Sequence, residues 1–277
     1  MAQLIIRGSL RDKPGRLLNS NVSGTAMASG TLSHFENAFS SVGWFLPPYA
    51  AMGFLSSMAA EILRKGNGFS QGDLEQWLAH LYGANGLAAM VCSRYPITPV
   101  IAEYKETIAE SIEAHFLGLH HVAVAGLVPV IEGAGRELLA SRGLSSKSVR
   151  GVFSALAADC KRESIEKNIG VTGEIVSMMD SFASFTNNVL YVDSEKYPFI
   201  DGTNRHGITH GSFKDSDYGS PINFYKTIGA VDFLAFVSAF RAAISWFAPE
   251  ATSESERLAS YYRELQGIRS KGSASAA

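Results

Sequence analysis

The sequence predicts an all-α protein, and three observations support this. Apolar residues recur at spacings of three and four along most of the chain, which is the pattern of amphipathic helices. Signals for β-strands are scarce, and the best of them, residues 190–192 (Leu-Tyr-Val), is short. Hydrophobic residues make up 46% and charged residues 18% of the 277 residues, a composition that suits a large buried core.

The N-terminal third of the chain predicts an irregular arm followed by helices. Residues 1–33 are rich in Gly, Ser and Asn without a sustained period, which indicates an irregular arm. Residues 34–97 are expected to form an N-terminal helical region, with a first long helix over residues 49–65. Residues 70–73 (Ser-Gln-Gly-Asp) resemble an N-cap, so a second helix is expected over residues 74–82.

The middle of the chain has a strong helical pattern. One apolar stripe passes through Ile101, Tyr104, Ile108, Ile112 and Phe116. Its spacings of three and four residues predict an amphipathic helix. Three more helices are expected over residues 122–140, 145–168 and 172–190.

The C-terminal part contains the clearest helix. A stripe of large apolar residues passes through Phe233, Phe236, Phe240, Ile244 and Phe247. Other apolar residues surround this stripe, which predicts a helix in the centre of a bundle, ended by Pro249. A charged helix over residues 252–268 follows. With no evident interdomain linker, residues 98–270 are expected to form one bundle and residues 271–277 a flexible tail.

The charge of the chain argues against a globally basic nucleic-acid binder. The net charge is −2, so a local patch or an assembled dimer would have to attract a polyanion. Residues 136–167 lean basic but include acidic residues throughout, which favours a solvated helical surface.

Cysteine content and hydropathy indicate a soluble cytoplasmic protein without a membrane span. Cys92 and Cys160 are far apart and lack the spacing of a metal site. The N-terminus lacks the pattern of a signal peptide. Residues 227–247 have the length of a span but contain Asp232 and Arg241, which are costly at the centre of a bilayer.

The stretch Asn204-Arg205-His206-Gly207-Ile208-Thr209-His210-Gly211 concentrates the residues that carry chemistry. Arginine is always charged and histidine titrates near neutral pH, so together they suit phosphate chemistry without a metal. An arginine followed by a histidine at this spacing is expected about once by chance in such a chain, so the spacing alone proves nothing.

The residues around this pair resemble the HEPN superfamily of all-α proteins. The ribonuclease members of that superfamily carry an arginine, a polar residue, a short spacer and a histidine, matched here by Arg205, His206, residues 207–209 and His210. The wider pattern N-R-H-x-I-x-H-G is similar to HEPN-like proteins of abortive-infection and toxin systems. The resemblance covers roughly residues 98–248 and extends to Pro129-Val130-Ile131-Glu132-Gly133, to Tyr218-Gly219 and to Asn223.

This resemblance implies a homodimeric, metal-independent endoribonuclease in which the RNA 2′-OH attacks its own phosphodiester. His210 would act as general base or acid, and Arg205 would bind the phosphate. His206 would orient a neighbour or contact the scissile phosphate. Asn204 would hold the turn through its side-chain hydrogen bonds. RNA and a possible antitoxin or regulatory partner are the expected partners, and no cofactor is expected.

Helical geometry raises a difficulty for this pair. Five residues along a regular helix rotate a side chain by about 140°, so Arg205 and His210 would not share a face. Either Gly207 lets the backbone leave the helix, or a second chain supplies the partner residues. His206 and His210, four apart, would align as a metal-binding pair, but only the aspartates at 215 and 217 are close enough in sequence to serve as a third ligand.

Two carboxylates in apolar surroundings need partners. For Glu132 the favoured prediction is an ion pair with Arg136, four residues on, and the alternative is that it orients Arg205 or a histidine. Asp232 lies on a nearly all-apolar helix, and a structural ion pair with Arg205 or Arg241 is favoured over a helix N-terminus.

Three functions therefore stay open. The leading hypothesis is a HEPN-type endoribonuclease, as a toxin or antiphage effector. The first rival is a non-catalytic HEPN-like module that binds a nucleotide, RNA or protein. The second is a partner-binding bundle in which the motif is a buried hydrogen-bond network.

Overall fold

The computed structural model describes residues 32–274 and confirms the all-α prediction: that part of the chain contains eleven α-helices and no strand. Short 3₁₀ and π turns join some of them. The α-helices are α1 (Ser33–Ser41), α2 (Met52–Lys65), α3 (Gln71–Leu81), α4 (Ala84–Ala89), α5 (Lys105–Phe116), α6 (His120–Ser141), α7 (Val149–Lys167), α8 (Thr172–Phe185), α9 (Arg205–Thr209), α10 (Pro221–Ala239) and α11 (Ser253–Ala274).

Helix α10 is the centre of the bundle, as its all-round apolar pattern predicts. Every residue from Ile222 to Ala239 is buried. Helices α3 and α6 pack directly against it, and α5 and α7 pack on α6. The ring of Phe233 stacks on that of Phe182 in α8 with centroids 3.9 Å apart, which ties α8 to the same core.

The predicted regions 34–97 and 98–270 contribute to one hydrophobic core, which runs from Leu32 to Leu265. The arm predicted over residues 1–33 falls almost entirely outside the described residues. Helix α11 continues to Ala274, four residues into the segment predicted as a tail. Within residues 32–274, no helix combines the length and the hydrophobicity needed to cross a membrane.

Side-chain hydrogen bonds cap several helices, and the N-cap predicted at residues 70–73 is confirmed. The Ser70 hydroxyl accepts the Asp73 N–H at 3.1 Å, and the Asp73 carboxylate accepts the Ser70 N–H at 2.8 Å, which forms a capping box at the start of α3. Helix α7 begins after Ser148, whose hydroxyl accepts the Gly151 N–H. It ends at Asn168 in the left-handed conformation, a common way to stop a helix.

The predicted helix through Phe247 is wrong in its C-terminal part, because α10 ends at Ala239. Beyond Phe240 the chain folds back, and the Trp246 ring stacks on Phe240 with centroids 4.9 Å apart. The backbone carbonyl of Phe247 accepts a hydrogen bond from buried Arg94 at 2.6 Å. The spacing of these apolar residues also fits a helix, but their tertiary contacts hold them as an irregular segment packed against the core.

The short strand predicted at residues 190–192 is also wrong. Thr186–Leu190 forms a π turn that continues α8, closed by the Tyr191 N–H donating to the Thr186 carbonyl at 2.9 Å. The carbonyl of Val192, which a neighbouring strand would have used, accepts the side-chain amide of Asn204 at 2.8 Å. A side chain distant in sequence thus replaces the partner strand.

Most charged residues of the stretch 136–167 are exposed, as predicted, but three of them form a buried ion network. Arg142 donates to Asp159 at 2.8 Å and to Glu163 at 3.1 Å, and these three side chains are at most 5% exposed. Arg241, after α10, donates to the same two carboxylates. Burial raises the pKa of Asp159, but hydrogen bonds from Arg142 and Arg162 outweigh it and leave the pKa lowered.

Candidate functional site

Helix α9 exists because Asn204 caps it. The Asn204 carbonyl oxygen accepts the Gly207 N–H at 2.9 Å, and the amide donates to the carbonyls of Val189 at 3.3 Å and Val192 at 2.8 Å. The side chain is fully buried, so the hydrogen bonds to Gly207 and Val189 form away from water, and the one to Val192 is partly buried. Asn204 thereby fixes the start of α9 against the end of α8, as the role predicted for it in holding the turn requires.

Glycines are required on both sides of this cap. Gly202 has a φ of +68° and approaches the backbone carbonyl of Asp217 so closely that a Cβ atom would overlap it. Gly207 lies against the ring of Phe213, and a Cβ atom there would overlap the ring. The loop after α9 therefore folds back directly onto the helix.

A buried polar network holds the residues that precede α9. Lys226 in α10 donates to Asp201 at 3.1 Å, and both side chains are at most 1% exposed. Ser220 is the N-cap of α10, and the Asn223 side chain completes the capping box by accepting the Ser220 N–H at 2.9 Å. The Asn223 amide donates to Thr203 at 2.8 Å. Burial lowers the pKa of Lys226, and the nearby Asp201 charge opposes this. The network joins the start of α10 to the residues before α9.

Sequence reasoning missed the pair of Asp201 and Lys226. The available signal was a lysine in a run that is otherwise apolar, because such a lysine needs an acidic partner. The identity of that partner depends on a contact between residues 25 positions apart.

Arg205 pairs with Glu132 of α6. The Arg205 Nη2 donates to one carboxylate oxygen at 3.3 Å, and Nε donates to the other. The two side chains are 17% and 18% exposed. The favoured prediction of an ion pair between Glu132 and Arg136 is wrong: Arg136 is exposed, and the described residues show no ion pair between the two. A two-pronged guanidinium–carboxylate pair is stronger than a single exposed pair along a helix.

Arg205 also contacts His210, which removes the geometric difficulty. Arg205 Nη1 and His210 Nε2 are 2.8 Å apart. Helix α9 has only five residues and His210 follows its end, so the long arginine side chain spans the rotation between them within one chain. Arginine has only donors, so the Nε2 atom of His210 is the acceptor in this contact. The His210 residue is exposed to solvent.

His206 packs on this pair. Its ring is nearly parallel to that of His210, at 19° and with centroids 5.7 Å apart, and its Nδ1 is 3.5 Å from Arg205 Nη1. Burial lowers the pKa of His206, and the positive charge of Arg205 lowers it further. His206 is therefore neutral at neutral pH.

The alternative of a metal pair lacks a third ligand in the described residues. They contain no group of three or more His, Cys, Asp or Glu side chains that could hold a metal ion. Asp215 lies beside His121, with its carbonyl 3.2 Å from the ring Nε2. The Asp217 carboxylate accepts the Lys214 N–H at 2.7 Å.

Sequence reasoning missed two residues that lie next to this site, Arg150 and Tyr191. Arg150 of α7 donates to the Tyr191 carbonyl at 2.6 Å, and its charge acts on His206. The Tyr191 hydroxyl is buried without a hydrogen-bond partner in the described part of the chain. Burial raises the pKa of this tyrosine, and the Glu132 charge adds to the effect. Both residues reach the site only through the packing of α7 and α8.

Asp232 has a partner other than an arginine, which corrects the predicted ion pair. Its carboxylate accepts the Tyr95 hydroxyl at 2.6 Å. Burial raises the pKa of Asp232 to about 7, against which the Tyr95 hydrogen bond and the Arg94 charge act. Arg241 pairs elsewhere, with Asp159 and Glu163.

No protein-family model matches the chain, and neither a curated protein nor a solved structure is significantly similar to it.

Proposed function

We propose that this protein is a metal-independent endoribonuclease of HEPN type and acts as a toxin or antiphage effector. The observation that carries the proposal is a partly exposed arginine, Arg205, that pairs with Glu132 and lies 2.8 Å from the ring Nε2 of His210. An anion-binding group beside a base is what cleavage by a 2′-OH needs.

Each side chain has a role in this reaction. The scissile phosphate draws Arg205 Nη1 away from His210, so the His210 Nε2 becomes free to take the proton of the 2′-OH. The 2′-oxygen then bonds to phosphorus and the bond to the 5′-oxygen breaks. That oxygen takes a proton from a water molecule, to which protonated His210 returns the proton that it took. Arg205 stabilises the charge that grows on the phosphate oxygens, and Glu132 keeps the guanidinium in place.

The surrounding residues extend the same proposal. His206, whose lowered pKa keeps it neutral, orients His210 through their stacked rings. Arg150 adds positive charge next to the scissile phosphate. A homodimer would bring two such sites together and supply the basic patch that a chain of net charge −2 lacks.

A non-catalytic module is the second candidate, and one observation favours it. The Glu132 carboxylate neutralises Arg205 and occupies two of its donors, which weakens the attraction for a phosphate. In this case the site binds a nucleotide or RNA phosphate without cleaving it.

The experiment is an RNA cleavage assay with the full chain in EDTA. We expect products with 2′,3′-cyclic phosphate or 3′-phosphate ends. Arg205→Ala and His210→Ala should each reduce cleavage by about a hundredfold or more, the size of a lost general base or charge stabiliser. Arg64→Ala and His80→Ala, which change exposed residues of α2 and α3, are the matched controls and should cleave normally.

The outcomes separate the candidates. RNA binding that depends on Arg205 but yields no cleavage favours the module. If neither binding nor cleavage is detected and both site variants melt several degrees lower, the motif serves to tie helices together. Glu132→Gln keeps the shape of the side chain and removes its charge, so the catalytic proposal expects weaker cleavage and the module proposal expects tighter phosphate binding. Light scattering tests the dimer.

A further inference from the structure

A partly open cavity lies beside α10, formed by residues outside the candidate ribonuclease site. Its volume is about 120 Å³. Tyr49, Ala248 and Pro249, which are exposed or half-buried, form its mouth. Buried Leu87 and Asp232 form its floor. A mostly apolar cavity with one acidic group at its base has the character of a small-molecule site.

Asp232 brings an incompletely satisfied carboxylate to this cavity. One of its oxygens accepts the Tyr95 hydroxyl, and the other accepts no hydrogen bond from the described part of the chain. The nearest positive side chain, Arg94, directs its guanidinium to the backbone carbonyl of Phe247 at 2.6 Å. When Asp232 is ionised, it therefore lacks a directly bonded counter-ion, which a buried carboxylate requires.

The tyrosines of the cavity favour a cationic occupant. Tyr49 and Tyr82 line it, and the faces of aromatic rings attract cations. One face of the Tyr49 ring already lies against the Arg94 guanidinium, 5.3 Å from the ring centroid, which leaves its other face and Tyr82 for an occupant. The Tyr49 hydroxyl is buried and has no hydrogen-bond partner in residues 32–274. It therefore offers a further acceptor to a donor group placed next to Asp232.

We propose that this cavity binds a small organic ammonium ion, with its N–H groups donating to Asp232 and its apolar part against Leu87 and the rings of Tyr49 and Tyr82. A cavity of roughly 150 Å³ holds a benzene molecule, so an occupant of about the size of n-butylammonium fits here. The ammonium supplies the counter-ion that the fold does not.

Binding should depend on pH through Asp232. Burial raises the pKa of Tyr49, Tyr82 and Tyr95, so these groups stay neutral, and Arg94 stays charged. Asp232 is then the group facing the cavity that changes its charge near neutral pH, and the ammonium binds its ionised form.

The test is a calorimetric or NMR titration of the full chain with n-butylammonium and with n-butanol, its neutral isostere. At about pH 8 the amine should bind roughly tenfold more tightly than the alcohol, and at about pH 5.5 this preference should disappear. Asp232→Asn should abolish the preference, whereas Asp215→Asn, a fully exposed control, should keep it.

A second variant distinguishes a blocked cavity from a general loss of structure. Ala248→Trp fills the mouth of the cavity and leaves Asp232 intact, so it should block the amine while the circular dichroism spectrum stays unchanged. Equal affinity for amine and alcohol at both pH values, absence of binding by either, or an unaltered preference in Asp232→Asn would each overturn the proposal. None of these results depends on whether the protein cleaves RNA.

Discussion

Asp232→Asn should flatten the dependence of stability on pH. Asp232 is 5% exposed in α10, and its pKa is raised from an ordinary value of 3.8 to about 7 by burial. Below both values the carboxyl is protonated in the folded and the unfolded chain, so it has no effect. Between them the unfolded chain releases the proton and the folded chain keeps it, so the free energy of unfolding falls as pH rises.

The size of the effect follows from the two pKa values. The difference between 3.8 and about 7, at about 1.4 kcal/mol for each pH unit, corresponds to a loss of roughly 4 kcal/mol between acidic and slightly alkaline pH. Such a loss is a large part of the total stability of a typical domain, about 5–15 kcal/mol. The asparagine does not titrate, so the variant should lack this loss.

The assay is urea unfolding of the wild-type chain and the variant at several values between about pH 5 and 8. The informative quantity is the change of the stability difference with pH, because a fixed cost of burying the amide cancels from it. Asp180→Asn is a control, since the Asp180 side chain is 42% exposed. Parallel pH profiles for wild type and Asp232→Asn would show that the carboxyl has an ordinary pKa, and the reasoning from burial would fail.

Three further variants test the support of the candidate site by thermal or urea unfolding. Asn204→Ala removes the three hydrogen bonds of a buried side chain and should cost about 2–4 kcal/mol. A loss below about 0.5 kcal/mol, as for an ordinary surface substitution, would contradict the capping role. Gly207→Ala should cost about 1–3 kcal/mol through overlap with Phe213, and Phe213→Leu should recover part of it. Lys226→Met should cost about 3–5 kcal/mol because it leaves the buried Asp201 carboxylate without its counter-charge. Adding Asp201→Asn should restore part of this stability, and no recovery would show that the Asp201 charge does not cause the loss.

Much of the fold could be predicted because its signals are local. The capping box of Ser70 and Asp73 depends on groups three residues apart, and the stripe from Ile108 to Phe116 depends on helical spacing alone. The same reasoning fails where distant contacts compete with local preference. The residues after Phe240 have helical spacing, yet they fold back so that Trp246 covers the core.

The candidate site divides in the same way. Its residue types were visible in one short stretch, since Asn204, Arg205 and His210 lie within seven positions. The sequence did not show which residue pairs with Arg205. Glu132 is 73 residues away, and the cation nearest to Glu132 along α6 is Arg136. Local spacing favours an ion pair between Glu132 and Arg136 within α6. The position of α9 against α6 instead brings Arg205 within bonding distance of Glu132.

The sequence by itself determined the helical class, several helix ends, the central apolar helix and the cluster of an arginine and two histidines. These depend on hydrophobic periodicity, capping and residue chemistry, which act over a few neighbouring residues. The tertiary structure alone decided the charge partners: Glu132 with Arg205, Asp201 with Lys226, and Asp232 beside a cavity without a bonded counter-ion. A buried charge is satisfied by whichever group the packing brings within bonding distance, and that depends on the whole bundle.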